Sequence, residues 1–175
     1  MSGVLEAEFR SKRSAGRKLL VPYITGGYPG WQDAVRAAAA SGADAIEIGI
    51  PFSDPVMDGP VIQQASQASL DGGATPVSPH HTRLGQLRCE ALVVMLYYNT
   101  VHHAGHERFA AQLAEAGVVG CIVPDLPLEE AGPWCVAADA AGVETIMLAA
   151  PTAPDDRLPR VCARARGFVY SVGLL

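Results

Sequence analysis

The sequence has little with which to hold a polyanion. Its 175 residues carry a formal net charge of −5, and the one basic stretch is short, from Arg10 to Arg17. Nucleic acid and anionic membrane surfaces are therefore poor partners. The stretch reads as the polar side and end of a short N-terminal helix. No apolar run approaches the roughly twenty residues needed to cross a bilayer. The N-terminus also lacks the apolar core of a signal peptide, so a cytoplasmic protein is expected. Cys89, Cys121, Cys135 and Cys162 show no C-x-x-C spacing and read as reduced thiols in or near a core. His80, His81, His102, His103 and His106 lack the cysteine or carboxylate companions of a metal centre, and solvated histidines are expected.

About half of the residues are hydrophobic (49 %), enough for one domain with a proper core and against disorder. The chain is organised around residues 44 to 62, DAIEIGIPFSDPVMDGPVI. The first half reads as a strand with Ile46, Ile48 and Ile50 on one face and Ala45, Glu47 and Gly49 on the other. The apolar face suits packing against helices. The other face carries one carboxylate between two very small residues, which leaves room beside it. Pro51 ends the strand, a loop follows with Asp54 and Asp58, and Pro60 is placed to open a helix. Asp58 alone has an ordinary explanation as a cap for that helix. Glu47 has none, because a carboxylate inside a strand is costly unless paired or used.

Along the rest of the chain, strands and helices alternate. Strands are expected at Leu19–Thr25, Ala91–Tyr97, Val119–Val123, Glu144–Ala149 and Gly167–Val172. Helices are expected in a short N-terminal stretch with Val4, Leu5 and Phe9 as its apolar side, then at 31–41, 60–70, within 78–88, and at 107–116, 129–140 and 155–164. Gly117, Gly142 and Gly167, spaced 25 residues apart, each close a helix before a strand, the mark of a repeated β/α unit. Apolar strands followed by Pro- and Asp-bearing loops place the chemistry at the strands' C-terminal ends, as in a (β/α)8 TIM barrel. The competing doubly wound fold carries a glycine fingerprint after its first strand, and Thr25-Gly26-Gly27-Tyr28-Pro29 is not one. A complete barrel takes about 250 residues. The expectation is therefore a single domain over residues 1 to 175 with about six β/α units, part of a larger barrel.

The segment Glu47-Ile48-Gly49-Ile50-Pro51-Phe52-Ser53-Asp54-Pro55-Val56-Met57-Asp58-Gly59-Pro60 closely resembles the signature of the tryptophan synthase alpha chain family. The resemblance runs in order through Leu20 to Thr25, Met95 to Asn99, Val123 to Pro127, Ala150 to Thr152 and Gly167 to Tyr170. It implies a TIM barrel that splits indole-3-glycerol phosphate into indole and glyceraldehyde 3-phosphate by a retro-aldol reaction. It also implies no cofactor in this chain, and a beta-chain partner that carries PLP and receives the indole. By resemblance Glu47 is the acid/base at carbon and hydroxyl, and Asp58 takes the ring N–H. Their settings agree with this: Glu47 in a tight inward position suits a raised pKa, and Asp58 beside Gly59 suits a solvated anion. The resemblance further puts Tyr23, Tyr97 and Tyr170 near substrate and Asp54 toward the beta chain. For Tyr97, a buried aromatic with a bonded hydroxyl is an equal alternative.

Met57 departs from the family's smaller aliphatic residue and is expected to crowd the loop. Thr100 and Val119 stand where proline and aspartate are frequent. The family's phosphate-binding turns lie beyond strand six, so residues 1 to 175 are expected to carry the acid/base part of the site without the phosphate part. Two other readings are a related phosphate-sugar barrel and an inactive barrel fragment that only binds a beta chain.

Overall fold

The computed structural model describes residues 3–75 and 91–173. The described elements are α1 (Val4–Ser14), β1 (Tyr23–Thr25), α2 (Trp31–Ala40), β2 (Ile46–Gly49), α3 (Pro60–Asp71), β3 (Leu92–Met95), α4 (Tyr98–Ala104), α5 (His106–Glu115), β4 (Val118–Ile122), α6 (Gly132–Ala141), β5 (Glu144–Ala149), α7 (Arg157–Arg164) and β6 (Val169–Ser171). The six strands form one parallel sheet in the order β1-β2-β3-β4-β5-β6. Each strand lies beside the next in sequence. A doubly wound sheet would reverse order at a switch point, whereas a barrel does not. The described residues form a partial barrel, with β1 and β6 outermost.

Alternation along the strands divides the core in two. Ile46, Ile48, Leu92, Val94 and Cys121 face outward and pack with Val35, Phe109, Leu113, Trp134 and Val161 of the helices. Ala45, Val93, Ile122 and Ile146 face inward, where Leu5 and Phe9 of α1 join them. Helix α1 thus plugs the N-terminal end of the barrel, and two buried carboxylates hold it there. Glu144, at the start of β5, accepts the Glu6 amide N–H at 3.0 Å and so caps the helix from a distant strand. Asp44, just before β2, accepts the Leu20 amide at 2.9 Å and pairs with Lys12 at 3.0 Å and Arg17 at 3.3 Å. The Leu20 amide and the Lys12 ammonium hold its carboxyl below the usual range.

The β/α repeat is present. Gly117, Gly142 and Gly167 adopt φ of +76°, +76° and +75°, a left-handed backbone that a side chain would strain. Pro60 is the first residue of α3, as expected. Several boundaries differ. The first strand pairs only over Tyr23–Thr25, although the Leu20 and Pro22 carbonyls still accept the Asp44 and Glu47 amides; Pro22 has no N–H to give the ladder. Residues 127–131 form a turn closed on the Pro127 carbonyl, so α6 begins at Gly132 instead of 129. Val4 is 71 % exposed, leaving Leu5 and Phe9 as the buried side of α1. Helix α4 was not expected: Asp125, in the loop after β4, accepts the Tyr98 amide at 2.8 Å and opens a helix directly after the expected strand Ala91–Tyr97. Cys121 and Cys135 are buried, but Cys162 is exposed on α7. His106 is not simply solvated, since its Nε2 lies 3.0 Å from the Tyr98 hydroxyl. The helix expected within 78–88, with His80 and His81, and Cys89 after it, lie outside the described residues.

Candidate active site

Strand β2 is buried on both faces and turns Glu47 inward, where Tyr23 on β1 is its register partner. The loop that follows β2 folds back over the strand ends and brings Asp58 to the same place. Together with Tyr170 of β6 these residues line a cavity of about 300 Å³ floored by Met95, Ile122 and Leu148, at the C-terminal ends of the strands. The fold thus puts two carboxyls and two phenols around an apolar floor, a composition suited to an aromatic ligand with a few polar atoms.

Tyr97 does not line this cavity. Its ring is 4 % exposed and stacks on Phe52, with centroids 5.0 Å apart. Its hydroxyl donates to Asp58 Oδ2 at 3.2 Å and accepts the Met57 amide at 3.0 Å, clamping the loop from behind. The reading of Tyr97 as a buried aromatic with a bonded hydroxyl therefore describes its position. Asp58 does not serve as the helix cap: Gly59 holds the N-cap position of α3, and the Asp58 carboxylate accepts the Tyr97 hydroxyl instead. Met57 lines the cavity and is 49 % exposed, so it does not crowd the loop. Asp54 is exposed and outside the cavity, accepting the Ser53 hydroxyl.

Burial raises the Glu47 carboxyl to about 7, with the charge of Asp58 as the second cause and no hydrogen bond opposing them. Asp58 is half-buried instead of solvated. Burial raises its pKa as well, while the Tyr97 hydroxyl pulls the other way. Burial lifts the Tyr23 phenol to about 12, and Tyr170 is also raised, first by burial and then by the Glu47 charge. A carboxyl near 7 can be a proton donor and an acceptor at neutral pH.

The apolar floor was not singled out from sequence, although each member is an inward strand position detectable by alternation. Gly49 was read only as small; its packing against Tyr23 became visible in three dimensions. No group of His, Cys, Asp and Glu suited to a metal ion occurs among the described residues. No helix among them is long and apolar enough to cross a membrane.

Residues 9–175 match the family model described as tryptophan synthase alpha chain. The chain is 44 % identical to the tryptophan synthase alpha chain of Thermobifida fusca, over 98 % of this chain and 65 % of that one. It is 47 % identical to that of Halorhodospira halophila, over 99 % and 66 % respectively. The chain thus spans just under two thirds of the length of these curated relatives. Among solved structures, tryptophan synthase of Mycobacterium tuberculosis superposes with a TM-score of 0.91 at 37 % identity, covering 100 % of this chain and 70 % of that one. The tryptophan synthase alpha chain of Legionella pneumophila superposes at 0.86 and 32 % identity, covering 99 % and 68 %.

Proposed function

The chain belongs to the tryptophan synthase alpha chain family, and we propose that its cavity cleaves indole-3-glycerol phosphate to indole and glyceraldehyde 3-phosphate. The observation that carries this reading is the buried Glu47 carboxyl sharing one cavity with Asp58, a setting in which burial raises its pKa to about 7. The bond to be broken joins indole carbon 3 to the hydroxyl-bearing carbon of the glycerol chain. Glu47 gives a proton to carbon 3, which leaves positive charge at the ring nitrogen. Asp58, held by Tyr97, faces that N–H and stabilises the charge. Glu47, now ionised, takes the proton of the side-chain hydroxyl as the carbonyl of glyceraldehyde 3-phosphate forms. The carbon–carbon electron pair returns to the ring, neutralising its nitrogen and releasing indole. One proton is given and one taken, so Glu47 ends as it began. Tyr23 and Tyr170 flank the ring.

The loop that carries Asp54 also exposes Val56 (73 %), and Val61 at the start of α3 is 78 % exposed. Apolar side chains in water beside a carboxylate support this edge as the face for a beta chain. That partner would hold PLP and take the indole. This chain's own chemistry uses no cofactor.

The test is indole release from indole-3-glycerol phosphate, with and without a beta chain. We expect turnover by the parent protein, and none by Glu47→Gln although it still binds substrate. An active Glu47→Gln variant overturns the assignment. A parent protein that binds the beta chain yet never releases indole replaces catalysis with binding alone.

A further inference from the structure

Tyr23 and Glu47 are register partners on β1 and β2 and line the same cavity. Two residues along β2 stands Gly49. A methyl group there would meet Tyr23 Oη at 1.9 Å, Cζ at 2.4 Å and Cε2 at 2.6 Å. The tip of the phenol therefore rests on the backbone of β2, in space that exists because residue 49 has no side chain. The requirement is one of close approach; Gly49 is not among the glycines with positive φ. With its backbone opposite Glu47 and its tip on Gly49, the ring runs along the inner face of β2 and walls the Glu47 carboxyl on the β1 side.

We propose that Tyr23 and Gly49 are a positioning pair for Glu47: the ring, admitted by the glycine, is the dry wall that shields one flank of the carboxyl and aims it into the cavity. This deepens the acid/base reading of the site and rests on it. The other groups around Glu47 are Asp58 from the loop, Tyr170 from β6, and the apolar Met95, Ile122 and Leu148 from β3, β4 and β5. Asp58 is the only carboxylate among these. The Tyr23 hydroxyl, at about 12 with Thr25 as its hydrogen-bonding neighbour, stays neutral wherever Glu47 titrates. The ring surface, and not the hydroxyl, is therefore the working part.

Glu47 can be read directly by NMR titration of side-chain carboxyl carbons in the full chain labelled with ¹³C-glutamate, its signal identified by loss in Glu47→Gln. The midpoint of the parent is expected at about 7. Tyr23→Phe keeps the ring and the midpoint. Tyr23→Ala and Gly49→Ala, the second by pushing the ring off β2, each lower the midpoint by about one unit or more. Combining the two substitutions adds little, because both act through one ring. An unchanged midpoint in Tyr23→Ala overturns the proposal, as does a fall in Tyr23→Phe as large as in Tyr23→Ala. Should Tyr23→Ala fail to fold, Tyr23→Leu and Gly49→Ala decide by the same criterion. Indole release from the same samples answers a separate question: midpoints that shift as expected in a chain that never cleaves would retain the positioning pair and overturn only the acid/base assignment.

Discussion

Glu47 pairs a functional position with a cost in stability. Its carboxyl has an ordinary pKa of 4.5 that burial raises to about 7 in the folded chain. The folded state therefore holds a proton that the unfolded state releases, and stability contributed by that proton is lost as pH rises from about 4.5 through about 7. Glu47→Gln removes the titration. The variant should gain up to about 3 kcal/mol over the parent above pH 8 and nothing near pH 4; urea unfolding at both pH values checks this. Tyr97 acts at the same scale through another residue. Tyr97→Phe leaves the stack on Phe52 but frees Asp58 and the Met57 amide, and should lower kcat/KM about tenfold, the worth of one hydrogen bond to a charged group. If steady-state assays show no loss, the clamp has no bearing on the chemistry.

At the scale of elements, the chain's repeat was readable because each β/α unit carries its own punctuation. Apolar strands end in proline or aspartate, and helices end in glycines whose positive φ no other residue adopts cheaply. What escaped reading came from partners far away in sequence. Helix α4 opens on Asp125, 27 residues downstream, and α1 begins on Glu144, 138 residues away. No local pattern announces such caps. Asp44 has the same character at the other end of α1. Its folded pKa is depressed, so its contribution to stability is present above the unfolded value near 3.8 and fades as pH falls through the folded one. Asp44→Asn should destabilise by about 2 kcal/mol at pH 7, and the deficit against the parent should shrink in acid. Equal melting of the two proteins at neutral pH would mean that the plug helix is held by its apolar face alone.

At the scale of the whole molecule, the two-sided sheet decides which side chains water can reach. Cys121 lies between sheet and helices and Cys135 on the buried side of α6, whereas Cys162 stands exposed on α7. Alkylation of the native protein followed by peptide mapping should modify Cys162 and spare Cys121 and Cys135 until denaturant is added. Rapid labelling of Cys121 in native buffer would contradict the packing described here. From sequence alone the four thiols looked alike, since a helical cysteine near apolar neighbours does not declare which way it faces.

The amino-acid sequence by itself determined the alternation of strand and helix, the barrel-like order, and the two carboxylates on one strand and its loop. These follow from periodicities of two and 3.6, from turn residues, and from the cost of a charge inside a strand. The tertiary structure alone decided what those carboxylates are. Glu47 reaches about 7 because sheet curvature brings Asp58, Tyr23 and Tyr170 around it and drives water out. Asp58 faces the cavity because Tyr97, 39 residues on, holds it there. A pKa and a direction belong to a dielectric and a set of neighbours, and both exist only once distant strands have been brought side by side.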